Sequence, residues 1–157
     1  THDPHEALAI CDRVVVMRRG EIQQYSSPQD IVLNPSNDFV GKFVLQRNIL
    51  PLHYINDDYS KFICELHIAK DILISNNSVC MFDNKSIFIE ADSNGLFTVR
   101  AKEFRVNCYV YTVVKDDLKL NVETQLSTSL CIGDQCKVRS IPGKEFLVLP
   151  ERIRRNF

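Results

Sequence analysis

The residues best suited to chemistry open the chain, where positions 1–6 read Thr-His-Asp-Pro-His-Glu. Asp3 is a favourable helix N-cap, Pro4 suits the first helical position, and Glu6 falls where a capping box carries its acid. His2 therefore stands at an expected corner between a strand end and a helix. The N–H groups and the positive end of such a helix favour an anion. The pattern predicts a phosphate-binding corner beside His2.

These residues resemble the switch-histidine region of the ATP-binding subunits of ABC transporters. The resemblance continues through several further stretches, namely Pro4–Ile10, Asp12–Met17, Arg19–Ile22 and Ser27–Ile31. In that family a Thr-His-Asp ends a core strand, and the histidine reaches the γ-phosphate of ATP across the dimer interface. The resemblance thus implies that His2 is a catalytic residue that contacts the γ-phosphate. It implies no role for His5, which we expect to be exposed on the first helical turn.

Other parts of an ATPase site are absent from the sequence. No Gly-x-x-x-x-Gly-Lys-Ser/Thr loop occurs, and no apolar run ending in Asp-Glu precedes His2. Such a loop and acidic pair hold the phosphates and magnesium of ATP. We therefore expect the C-terminal part of a longer ATPase subunit, whose parent binds ATP and Mg²⁺ while this fragment binds neither.

Composition and net charge argue against a protein that binds nucleic acid or an anionic membrane through its overall charge. The apolar content is 45% and the net charge is −1, so no global field attracts nucleic acid or an anionic membrane. The sequence contains no apolar run of membrane-spanning length, and we expect no secretory leader. The basic residues 152–155 are expected to be a solvated terminus. The resemblance implies a cytoplasmic protein that lies at the inner face of the plasma membrane through its permease partner.

The six cysteines are expected to be reduced structural thiols in a cytosolic compartment. Cys64 and His67 lie three positions apart in an expected strand, so their side chains face opposite sides and cannot share one ion. Cys131 and Cys136 flank a turn and could in principle bridge or bind. No CxxC pair supports zinc, and we predict no metal site.

Residues 1–47 are expected to form a short α/β tail. The patterns predict a helix from Pro4 to Cys11 that buries Ala7, Ile10 and Cys11. An apolar strand over Val14–Met17 should turn at Gly20 into a partner strand that starts near Ile22. Two more helices are predicted, one capped by Ser27 and ended by Asn34-Pro35, and one around 36–44 that presents Phe39, Val40 and Phe43 on one face.

Residues 48–157 change to a period of two, which is typical of strands. Ten short strands separated by turn signals are predicted, at 49–55, 61–68, 71–74, 79–82, 86–90, 96–102, 108–114, 119–123, 136–140 and 146–149. Segments 79–89 and 136–149 form a weak repeat of strand, turn and strand. This resembles the TOBE domain of import-type ABC subunits, an OB-like barrel built from two related halves. The predicted fold class is α+β: an ABC ATPase tail followed by an all-β OB-like (TOBE) barrel.

The resemblance also implies partners: a second copy of the subunit, membrane permease subunits and, indirectly, a solute-binding protein. The linker 39–50 looks most like the branch that imports ferric iron or polyamines. The alternative is an OB-type oligonucleotide-binding module, which pairs exposed aromatics with a positive groove. Tyr109 and Tyr111 share one strand face, as packing residues or as a stacking edge. However, residues 48–157 carry 14 acids and 14 Lys or Arg residues, so no basic funnel and no nucleic-acid partner are expected.

Overall fold

A computed structural model describes residues 1–51, 78–144 and 146–150. The predicted strands at 61–68 and 71–74 fall outside these residues, as do the end of the 49–55 strand, Cys64, His53 and His67.

The first part of the chain contains three short helices and a hairpin. In chain order they are α1 (Pro4–Ile10), β1 (Val14–Arg18), β2 (Glu21–Ser26), α2 (Pro28–Leu33) and α3 (Asp38–Phe43). Eight further strands follow among the described residues, namely β3 (Asn48–Pro51), β4 (Ser78–Phe82), β5 (Ile87–Ala91), β6 (Phe97–Arg105), β7 (Cys108–Lys115), β8 (Leu118–Thr124), β9 (Gln135–Ser140) and β10 (Leu147–Pro150). Few helices and many antiparallel strands confirm the α+β, mostly-β fold class.

Side-chain caps set the start of each helix. The Ser27 hydroxyl accepts a hydrogen bond from the Asp30 N–H at 3.2 Å, and Asn37 Oδ1 accepts one from the Val40 N–H at 3.0 Å. Asp3 caps α1, and proline occupies the first position of α1 and α2, as predicted. Asn34, the residue before Pro35, ends α2.

The β1–β2 hairpin turns at Arg19 and Gly20, which have φ angles of 50° and 80°. Such a turn suits a two-residue hairpin loop, and glycine supplies its second left-handed position without strain. Val15 pairs with Tyr25, and Met17 pairs with Ile22 after a register shift that follows Val16.

One face of this hairpin packs on the helices. Val16 is buried with Ile31, Val40 and Val44 in a small apolar core. The guanidinium of Arg18 lies 4.8 Å from the ring centroid of Phe39, which adds a cation–π contact at the edge of this core.

One burial prediction in this region is wrong. No residue of α1 is buried: Ile10 is 77% exposed, and Cys11 lies beyond the helix and is also exposed. On α3, the rings of Phe39 and Phe43 stack at a centroid distance of 5.3 Å, so they lie on one side of the helix as predicted, with Phe43 exposed. Helical spacing identifies an apolar face, but it does not supply the surface that would cover it.

Contacts divide the described residues into two compact units. The first unit contains residues 1–51, 78–81 and 147–150, and includes a three-stranded sheet in the order β10-β4-β3. The second contains residues 82–144 and 146, with a five-stranded antiparallel sheet in the order β5-β9-β6-β7-β8. The predicted domain boundary between residues 47 and 48 stays a prediction.

The five-stranded sheet curls on itself, because its two edge strands β5 and β8 approach each other. The backbone N–H of Glu123 in β8 donates to the carbonyl of Asn84, just before β5, at 3.0 Å. The repeated segments pair with each other: β4 pairs with β10, and β5 pairs with β9. No described helix is long and apolar enough to cross a membrane.

Candidate functional site

His2 lies in the segment that leads into α1, and hydrogen bonds fix its neighbours on both sides. The Asp3 N–H donates to the Thr1 hydroxyl at 3.1 Å, and that hydroxyl donates to a Glu6 carboxylate oxygen at 2.7 Å. Asp3 Oδ1 accepts from the N–H groups of His5 at 2.8 Å and Glu6 at 3.3 Å. The backbone at His2 is therefore held, while its imidazole is exposed and available to a ligand or partner.

The same contacts change the predicted chemistry of this corner. The two N–H groups expected to face a phosphate already donate to the carboxylate of Asp3. An incoming phosphate would have to displace a negative charge of the same chain. The predicted role of Glu6 also differs, since its carboxylate bonds Thr1 instead of completing a capping box. At this corner the exposed imidazole of His2 is therefore the group that remains to contact a phosphate of ATP.

A polar network that sequence reasoning missed holds the segment between α2 and α3 against β2. Gln24 donates through Nε2 to the Asn34 carbonyl at 3.1 Å and accepts from the Ser36 N–H at 2.9 Å. The Ser36 hydroxyl donates to the Gln23 carbonyl at 2.9 Å. These bonds fix both helices relative to the hairpin that follows the His2 segment. Adjacent glutamines in an alternating strand were the only sequence signal.

A second side-chain cluster lies in the five-stranded sheet. Lys102 Nζ is 4.2 Å from the ring centroid of Tyr109, 5.3 Å from that of Tyr111 and 3.4 Å from the Leu130 carbonyl oxygen. A hydrogen bond with the Tyr111 hydroxyl raises the pKa of the Lys102 ammonium above its ordinary value. The two tyrosine rings meet edge to face at 6.1 Å, so they share one face as predicted.

The burial of Tyr111 decides the role of this cluster. Its side chain is fully buried, and its hydroxyl lies 3.0 Å from the Thr128 carbonyl oxygen and 3.2 Å from that of Leu130. A ring enclosed in this way cannot stack on a nucleotide base. The cluster thus fastens residues 128–130 to the sheet, which favours the packing interpretation over the stacking edge.

The described cysteines fall into buried and exposed sets. Cys80 and Cys136 are buried, Cys108 is half-buried, and Cys11 and Cys131 are exposed. Burial raises the pKa of Cys80 to about 12 and, with a smaller contribution from Asp134, that of Cys136 to about 11. Both buried thiols are therefore protonated and unreactive at neutral pH. Within the described ranges, no three His, Cys, Asp or Glu side chains group as metal ligands would.

Comparison with known proteins finds similarity to import ATP-binding proteins. The chain is 47% identical over 64 residues to the spermidine/putrescine import ATP-binding protein PotA of Clostridioides difficile, over 41% of this chain and 18% of that protein. It is 52% identical over 50 residues to PotA of Aster yellows witches'-broom phytoplasma, over 32% of this chain and 12% of that protein. No family model matches the sequence.

A third relative is named for a different solute. The sulfate/thiosulfate import ATP-binding protein CysA of Pseudomonas syringae pv. tomato is 50% identical over 52 residues, which cover 33% of this chain and 16% of that protein. The matched segments thus span less than a fifth of each of these relatives. Part of this chain is homologous to part of the import ATP-binding proteins.

Proposed function

We propose that this chain is the C-terminal part of the ATP-binding subunit of an ABC-type importer, whose parent couples ATP hydrolysis to solute uptake. The observation that carries the proposal is an identity of 47–52% to import ATP-binding proteins over 50–64 residues. The exposed His2, on a backbone fixed by Thr1 and Asp3, supports a catalytic role for this residue.

His2 performs a positioning and electrostatic role in this proposal. Bound Mg²⁺-ATP supplies the phosphoryl group, and the phosphate loop and acidic pair that hold it come from the rest of the parent. The imidazole of His2 hydrogen-bonds a γ-phosphate oxygen and orients the attacking water, so it stabilises charge in the transition state. The Asp3 cap and the Thr1–Glu6 hydrogen bond hold the backbone on both sides of His2, which fixes the position from which its imidazole extends.

The β-rich region 48–157 is proposed as a TOBE-like regulatory and assembly module. The support is its position after an ATPase tail, its curled five-stranded sheet and the pairing of its repeated strands. In the assembled importer this module contacts a second copy of the subunit. The subunit lies at the cytoplasmic face of the membrane, bound to permease subunits that receive solute from a binding protein.

Polyamines are the proposed solute class, in preference to ferric iron. Relatives named for spermidine and putrescine from several organisms support this choice, although one relative is named for sulfate and thiosulfate.

Uptake in the source cells tests this function. Deletion of the gene should abolish energy-dependent uptake of labelled spermidine or putrescine, and the wild-type gene should restore it. A gene that carries His2→Ala should fail to restore uptake. A gene that carries His5→Ala, which changes an exposed histidine on the first turn of α1, should restore it. Normal uptake of spermidine, putrescine, sulfate and ferric iron in the deletion strain would refute the import function. Loss of uptake of sulfate or iron alone would refute the solute class only.

A further inference from the structure

Strand β6 continues past the strand that pairs with it on one side. β9 pairs with β6 at residues 97–98, and the backbone of residues 133–134 bonds Val99. Residues 101–105 of β6 pair with β7 and are all exposed. Within the part of the chain that the structure describes, residues 101–105 therefore form an open strand edge, here called the β6 edge.

Backbone hydrogen-bonding groups point outwards along the β6 edge. Residues 106–107 form a two-residue loop between β6 and β7, because Arg105 pairs with Cys108. The closing pair of such a hairpin is hydrogen-bonded, and hydrogen-bonded and non-hydrogen-bonded pairs alternate along the ladder. The N–H and C=O groups of Lys102 and Phe104 therefore point away from β7. Such an edge is a template for pairing with another strand.

The side chains of the β6 edge limit which strand can pair with it. Phe104 is 62% exposed, and its ring meets that of Tyr109 edge to face at 5.7 Å. On the opposite face of the strand, Arg105 donates to the two carboxylate oxygens of Glu103 at 3.0 and 3.2 Å. The edge thus presents an exposed aromatic ring between a negative and a positive residue. This order of side chains is complementary to itself when the strand is reversed.

We propose that the β6 edges of two copies pair antiparallel about a two-fold axis at Phe104, which joins two five-stranded sheets into one. In this register Glu103 lies opposite Arg105 of the partner subunit, and the two Phe104 rings meet. Registers centred on Lys102, Glu103 or Arg105 would instead set two like charges directly opposite each other. The charges of the edge therefore select one register. The pairing rests on the proposed function, because it makes specific the contact of the β-rich region with a second copy.

Amide hydrogen exchange in the 157-residue chain tests the backbone pairing. It is measured residue by residue by NMR over a wide range of protein concentration. The amides of Lys102 and Phe104 should exchange more slowly as the concentration rises. The amide of Glu103, which faces β7, should change far less and serves as the internal control. Sedimentation of the same samples should show a concentration-dependent dimer.

Charge reversal tests the register. Arg105→Glu or Glu103→Arg alone sets two like-charged pairs opposite each other across the two-fold axis, and should weaken association about tenfold. The double variant Glu103→Arg with Arg105→Glu exchanges the signs of both pairs and should regain wild-type association. Lys119→Glu makes the same change of charge at an exposed residue of β8, and this matched control should leave association unchanged.

Three results would overturn the inference. The first is a chain that stays monomeric at every concentration, or that associates without protecting the Lys102 and Phe104 amides. The second is a double variant that associates as weakly as the single variants. The third is protection of these amides in a monomeric longer protein, which would make the preceding chain the occupant of the edge.

ATP hydrolysis by the longer protein separates this pairing from the proposed function. Hydrolysis by a protein whose β6 edges do not pair would refute the pairing and leave the proposed function standing. Pairing of the β6 edges in a longer protein that neither binds nor hydrolyses ATP would refute the proposed function and leave the pairing.

Discussion

Asp3 Oδ1 lies 2.8 Å from the backbone nitrogen of His5, so the chain enters α1 immediately after His2. This bond places one histidine before the helix and the other on its first turn. It also neutralises the helix N-terminus with a carboxylate of the same chain. His2 and His5 are therefore both exposed and close in sequence, but only His5 lies in the helix. A change at His5 can serve as the control for a change at His2.

Removal of this cap should loosen α1. Asp3→Ala deletes the acceptor of two N–H groups, and loss of a helix N-cap costs about 1 kcal/mol. We expect faster amide hydrogen exchange at His5, Glu6 and Ala7. Asp12→Ala, which removes an exposed acid outside the helix, is the control. Unchanged exchange in the Asp3 variant would show that the cap does not hold α1.

The Tyr111 hydroxyl should matter more to stability than that of Tyr109. Tyr111→Phe keeps the buried ring but leaves the carbonyls of Thr128 and Leu130 without this donor, at an expected cost of about 1–3 kcal/mol. Tyr109→Phe changes a partly exposed ring and should cost less. Urea unfolding of both variants measures the two free energies. Equal losses would contradict the role assigned to the buried hydroxyl.

Two glycines with close neighbours should respond differently to alanine. A Cβ at Gly95 would lie 2.3 Å from backbone atoms of Cys136, whereas one at Gly41 would meet the flexible end of Met81. Backbone of a central strand cannot move aside as a methionine can. We expect Gly95→Ala to lower the free energy of unfolding by about 1–3 kcal/mol and Gly41→Ala by less. The reverse order in thermal unfolding would disprove this account.

Stability should decline at alkaline pH because of the buried thiols. The folded-state pKa values of Cys80 and Cys136, about 12 and 11, exceed the ordinary value of 9.0. Their contribution is therefore complete below pH 9.0 and is lost as the pH rises towards 11 and 12.

Cys80→Ala should show a shallower decline in the free energy of unfolding between pH 8 and pH 11, about as far as unfolding can be followed. The exposed Cys131→Ala is the control and should follow the wild type. Identical slopes for Cys80→Ala and the wild type would rule out this source of pH dependence.

Local signals in the sequence predicted most of the described elements. Alternating residues between turn signals placed β4 to β10 within a few residues, and the caps at Asp3 and Ser27 placed two helices. These features depend on interactions between residues close in the chain. The third helix begins at Asp38, slightly later than predicted, because Asn37 is its cap.

Features that depend on distant residues were not predicted. The strand order β5-β9-β6 joins segments far apart in sequence, and periodicity carries no information about such neighbours. The burial expected for Ile10 required a partner surface that α1 lacks among the described residues. At the candidate site, the histidine and the cap were identifiable from residue types. Only the distances show that the His5 and Glu6 N–H groups donate hydrogen bonds to the Asp3 carboxylate.

The most direct test of the central claim is ATP hydrolysis by the longer protein with changes at its two neighbouring histidines. His2→Ala should lower kcat on the order of a hundredfold while the Kd for ATP stays nearly constant, because the lost contact forms in the transition state. His5→Ala should behave as wild type. Wild-type turnover by His2→Ala, or equal losses in turnover and ATP binding, would contradict the catalytic role of His2.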